Sequence, residues 1–184
     1  MANHHAIGLV ELNSIAKGIE ASDILAKTAD VTILVAKTIC PGKYIVLIGG
    51  GVANVKQSMD AALRLTPETI VDHFIIPNIH PSILPAIGGA KAIEKVEAVG
   101  VIETYSVAAT IEATDVAVKT AQVEPIRMHL AFGIGGKSYV ILTGDISSIN
   151  TAVEVGSAVA GERGFLVQRI VIARPDKQVI STLL

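Results

Sequence analysis

The chain carries a single thiol. Cys40 stands in the step Cys40-Pro41-Gly42 between two apolar runs, and thiolates ligate soft metals or undergo redox chemistry. A lone cysteine is more often an inert small hydrophobe. A Cys-Pro-Gly step is a turn, however, and turns lie at the surface. Pro41 sets φ and Gly42 tolerates a tight backbone, so both would position the sulfur. One cysteine rules out an internal disulfide and fits a reducing cytosol. Other reactive groups form weaker sets. Glu11 and Glu103 could mimic paired catalytic carboxylates, but no nucleophile and base accompany them. His73, His80 and His129 lack metal-ligand spacing and read as structural, while His4 and His5 precede the first apolar run. Phe132-Gly133-Ile134-Gly135-Gly136 is glycine-rich enough to cradle phosphate, yet it leads into a strand rather than a helix start.

The elements that must position these groups occur twice. AIGLVELNSIAKGIEASDILAKTADV starts at Ala6, and AVGVIETYSVAATIEATDVAVKTAQV starts about 92 residues later at Ala98. Without a gap they share Gly8/Gly100, Glu11/Glu103, Ser14/Ser106, Glu20/Glu112, Asp23/Asp115, Lys27/Lys119 and Thr28/Thr120. The period exceeds the roughly 20 to 50 residues of a solenoid repeat and has the size of a small domain. Duplication also explains the matched glutamates without catalysis.

Apolar patterning predicts strand 6–12, a helix after Ser14 as cap, and strand 31–39. Strand 44–48, helix 52–65 and strand 70–76, stopped by Pro77, complete the first half. The second half predicts strand 99–104, helix 107–121, strands 123–130 and 139–142, helix 146–159 and strand 165–172. Residues 78–97 suit a short helix and a linker, giving domains 1–90 and 91–184. Strand, helix, strand, strand, helix, strand is the split βαβ order of a ferredoxin-like α+β sandwich.

Composition narrows the class. Hydrophobic residues make up 51% of the chain but aromatics only 3%, with no Trp, so Ala, Val, Ile and Leu must build the core. Charged residues are 17%, below the usual quarter, and mean hydropathy is +0.56. Such a surface calls for burial against other subunits. No apolar run reaches the ~18 residues of a membrane span, and MANHHAIG lacks the pattern of a secretory signal. A net charge of −2 without a basic stripe gives nucleic-acid binding no support.

AIGLVE, IEASD and LAKTADV, and again AVGVIE, IEATD and VKTAQV, resemble the shell domain of bacterial microcompartments, the BMC domain. Two copies in unpermuted order resemble a tandem-domain shell protein. KTICPGKY, NIHPSILPAI, AFGIGGKSY and ARPD bring the resemblance closest to shell proteins of propanediol-utilisation compartments. The resemblance implies a non-enzymatic homotrimer whose six domains form a pseudo-hexameric tile. Tiles would pack with neighbouring shell proteins into a hexagonal sheet around metabolic enzymes in the cytoplasm. It further implies that the Cys40 turn lines the ring axis, so that three copies supply three thiolates to a [4Fe–4S] cluster. Three is one short of the usual four, which leaves one iron open; zinc with three thiolates and water is the simpler competitor. The implied role is electron transfer across the shell, or cluster delivery to encapsulated redox enzymes.

In the second copy the corresponding loop is about two residues longer and has no thiol. Gly133, Ile134, Gly135 and Gly136, with Pro41 and Gly42, would then line the pore. Lys27, Lys119 and Arg174 match tile-edge positions of the family, whereas His80 precedes Pro81 in the first copy. The alternatives are a structural tile or metabolite-transport pore with Cys40 unligated, and a small-molecule-binding regulator of ferredoxin-like fold.

Overall fold

The computed structural model describes residues 5–89 and 96–183. The boundary expected between residues 90 and 91 lies outside them, as does His4. Two compact units emerge. One runs through Ile79 and includes Phe132–Gly136; the other takes His80–Ala131 and continues from Lys137.

The first unit contains β1 (Ala6–Leu12), α1 (Ile15–Thr28), β2 (Val31–Ile39), β3 (Lys43–Gly50), α2 (Val52–Leu65) and β4 (Ile70–Ile76). After α3 (Ile83–Gly88), the second unit repeats the plan as β5 (Ala98–Thr104), α4 (Val107–Thr120), β6 (Val123–His129), β7 (Ser138–Gly144), α5 (Ile146–Glu162) and β8 (Leu166–Ile172). A last helix, α6 (Lys177–Leu183), lies outside the repeated plan and has no sequence expectation behind it. The sheets run β2-β3-β1-β4 and β6-β7-β5-β8, all antiparallel. This is the ferredoxin-like α+β order that the patterning predicts, with element ends displaced by at most a few residues.

Local signals explain the elements. Ser14 accepts the Lys17 N–H and Ser106 accepts the Ala109 N–H, so each repeat starts its first helix on the expected cap. β1 is buried along its whole length, as suits a central strand covered on both faces. The shared glycines let helices approach the sheet: a Cβ on Gly8 would meet Met59 Cγ at 2.7 Å, and one on Gly100 would meet Val153 Cγ2 at 2.5 Å. The first core packs Val10, Leu12, Leu25, Val46, Ile48, Val55 and Met59, aliphatic throughout apart from the thioether.

Equivalent faces are not equally covered. In α1 only Gly18, Ala21 and Leu25 are buried, whereas ten of the fourteen residues of α4 are. Ile19 is 58% exposed and its counterpart Ile111 is 0% exposed. β2 exposes Thr32, Ile33, Ala36, Lys37 and Thr38, while in β6 Val123, Pro125, Ile126 and Met128 are buried. The last strand of each unit shows the reverse. β4 buries Asp72, Phe74 and Ile76, but no residue of β8 is buried.

Candidate functional site

β2 and β3 are antiparallel neighbours, and their connection is the turn Cys40-Pro41-Gly42. Cys40 is half-buried, and Pro41 and Gly42 are exposed. Gly42 takes φ +76, a conformation most side chains disfavour. The Cys40–Pro41 peptide is cis.

The five residues Phe132–Gly136 cluster with this first unit. The backbone N–H of Gly133 donates to Cys40 Sγ at 3.4 Å. Gly136, at φ +85, lies against the turn: a Cβ there would meet Pro41 Cδ at 2.6 Å and the Cys40 carbonyl oxygen at 2.8 Å. Gly133 and Gly135 also have positive φ, and so does Ala131 at 55°. A left-handed alanine costs about 1 kcal/mol or more and persists only where its surroundings hold it. Ile134 is half-buried, and Phe132 is 68% exposed. The structure thus brings the thiol turn and the glycine loop together, and the donor to sulfur comes from the loop rather than from the turn itself.

Behind each loop stands an ion pair that sequence reasoning missed. Lys43, the first residue of β3, pairs with Glu11 of β1; the Glu11 side chain is 0% exposed and that of Lys43 11%. Lys137, just before β7, pairs with Glu103 of β5 at 2.8 Å, with side chains 42% and 29% exposed. The hydrogen bond to Glu103, reinforced by its charge, holds the Lys137 ammonium above the ordinary lysine range. Both copies keep the glutamate and a lysine one residue past the turn or loop, a pattern whose pairing across the sheet only the fold shows. The glutamates therefore anchor loops.

The predicted edge residues lie near the ends of their elements, Lys27 and Lys119 in the last turns of α1 and α4 and Arg174 just past β8. Lys27 is well exposed and pairs with Asp23 across one turn of α1 at 2.7 Å. Lys119 pairs with the buried Asp115, whose other oxygen accepts the His80 N–H at 2.8 Å. An open groove of about 430 Å³ runs past His80, Lys119, Gln122 and Glu124. Arg174 is exposed just beyond β8. Ile76 and Ile172 hold equivalent strand positions, opposite Ile7 and Val99, so the register makes Asn78 the counterpart of Arg174, two residues before His80. The ring of His129 stacks on Tyr139 at 5.3 Å.

Among the described residues, no group of three or more His, Cys, Asp or Glu side chains could hold a metal within one chain. Nor is any described helix long and apolar enough to cross a membrane.

A BMC domain model matches residues 6–79 and again 98–175, and the chain belongs to this family of bacterial microcompartment shell proteins. It is 51% identical to the bacterial microcompartment shell protein PduT of Citrobacter freundii over 174 residues, 95% of each chain. The crystal structure of a microcompartment protein from Desulfitobacterium hafniense superposes with a TM-score of 0.86 at 48% identity, covering 96% of this chain and 98% of that one. A 79-residue stretch, 43% of this chain, is 38% identical to 80% of the shell protein EutM of Salmonella typhimurium, a match the size of one repeat.

Proposed function

We propose that three copies of this chain form a pseudo-hexameric tile of a bacterial microcompartment shell, with Cys40 of each copy holding one [4Fe–4S] cluster at the tile axis. The trimer reading rests on the uneven faces. One repeat leaves its first helix and second strand open, and the other leaves its last strand open. Two different open faces make a head-to-tail contact, and such contacts close into a ring when the rotation allows.

The observation that carries the cluster reading is Cys40 itself: one thiol per chain, in a turn partly open to solvent, with a backbone N–H already on its sulfur. The donor set fits. Thiolate is the usual ligand of iron–sulfur clusters, and N–H groups on ligand sulfur tune potential. Ligation must be shared among copies, because one chain offers a single sulfur. When bound, a cluster supplies one-electron transfer through the tile without a passage for metabolites. Cys40 would hold it, Pro41 and Gly42 would set the direction of the sulfur, and the loop 133–136 would narrow the opening. Lys27, Lys119 and Arg174 would face neighbouring tiles in a hexagonal sheet. The similarity to PduT favours a shell of the propanediol-utilisation type, located in the cytoplasm and adjoining encapsulated redox enzymes.

Anaerobic purification tests this reading, with iron and sulfide assays and electron paramagnetic resonance. The expected result is one cluster per trimer in the wild type and none in Cys40→Ser. A wild-type trimer without iron would leave a structural tile or a metabolite pore with an unligated thiol.

A further inference from the structure

We infer that the second repeat's glycine loop is a positioning element for the Cys40 sulfur, so that the thiol site is built by both copies of the duplication. The inference deepens the cluster reading and rests on it for its effect on iron.

Two contacts point the same way. Gly133 N–H donates to Cys40 Sγ, which fixes where the sulfur lone pairs are engaged. Gly136 leaves no room for a side chain beside the Cys40 carbonyl and the Pro41 ring, so the backbone of the loop is the seat on which the turn rests. Gly135 separates these effects from backbone strain. It has φ +67, so alanine there is strained much as at Gly136, but a Cβ on Gly135 meets nothing within 4 Å. Comparing Gly136→Ala with Gly135→Ala therefore isolates the clash with the turn. The loop's extra length and its glycines then have a common reason: a longer, side-chain-poor loop can reach the thiol turn and lie flat against it.

The test uses the full chain as its native oligomer. In anaerobically prepared protein, Gly136→Ala should lose iron to a chelator several-fold faster than wild type and shift the paramagnetic resonance signal. Gly135→Ala should behave as wild type in both. A second readout needs no iron. At about pH 9.5, above the ordinary thiol pKa, alkylation of apo Cys40 reports access to the sulfur, and Gly136→Ala should react several-fold faster than Gly135→Ala. Should Gly136→Ala not fold, hydrogen exchange of Cys40→Ala against wild type decides: loss of the sulfur acceptor should speed exchange in the peptide containing Gly133. Equal chelation and alkylation in the two glycine variants, or unchanged exchange in Cys40→Ala, would overturn the inference. Absence of iron from wild type together with faster alkylation of Gly136→Ala would sink the cluster reading and leave the positioning role standing.

Discussion

The same ion pair stands behind both loops, yet it is set in different surroundings. Glu11–Lys43 is almost wholly buried behind the thiol turn, whereas Glu103–Lys137 is partly open to solvent behind the glycine loop. A buried carboxylate without its cation is costly, while an exposed one finds water and screening. The first repeat therefore ties the base of its turn firmly to the central strand. The second repeat supplies a loop whose shape comes from backbone conformation. The thiol sits on the anchored turn, and the glycine loop lies against it.

The largest expected effect breaks that contrast at its root. Glu11→Ala should destabilise the first unit by up to roughly 3–5 kcal/mol, because it removes one partner of a buried ion pair. Glu103→Ala should cost far less, and urea midpoints of the two variants measure the difference. Equal losses would show that burial does not distinguish the pairs.

The next effect tests a compensated exchange. A Cβ on Gly18 would fall inside the Tyr44 side chain, and the equivalent positions in the second repeat hold Thr110 and Ser138. Gly18→Thr should cost about 1–3 kcal/mol by overpacking. Adding Tyr44→Ser should recover part of that loss as a coupling energy in a double-mutant cycle. Strict additivity would show that the two sites are independent.

A smaller effect follows pH. Because Lys137 is held above the ordinary lysine range, its pair contributes fully below the unfolded value of about 10.4 and is lost as pH rises through the folded value. Wild type and Glu103→Gln should thus converge in melting temperature at strongly alkaline pH. A gap unchanged by pH would show that the charge of Lys137 is not what Glu103 stabilises.

The smallest effect lies at the second helices. Asp145 caps α5, accepting the N–H groups of Ser147 and Ser148, and α2 begins after Gly51, which has no side chain to do so. The Ser148 hydroxyl and the helix amides hold the Asp145 carboxyl below the usual carboxylate range. That cap is complete above about pH 3.9 and fails as pH falls through the folded value. Gly51→Asp should add a few tenths of a kcal/mol near neutral pH, and the gain should vanish in acid. A gain that persists at low pH would point to backbone entropy rather than capping.

Much of the fold was legible. Short apolar runs, Ser14 and Ser106 as caps, and Gly-Gly or Pro breaks are local signals, and the strands and helices follow them within a few residues. The thiol turn and its longer, thiol-free counterpart were legible for the same reason. Three features were not. α6 carries no strong apolar period, and none of its residues is buried. The burial of α4 against the exposure of α1 was hidden, because Ile15 and Ile19 read much like Val107 and Ile111. The glutamates were read as matched by duplication alone, since their lysine partners lie 32 residues away in one copy and beyond a loop of different length in the other.

The sequence by itself determined the duplication, the order of elements in each copy, and the single thiol in a tight turn. These are properties of neighbouring residues, set by side-chain period, backbone φ preference and capping. Tertiary structure alone decided which amide meets the sulfur, which glutamate is sealed from water and which faces stay open. Each of those depends on groups far apart in the chain, such as Gly133 and Cys40 at a separation of 93 residues, and only packing brings them within a hydrogen bond's reach.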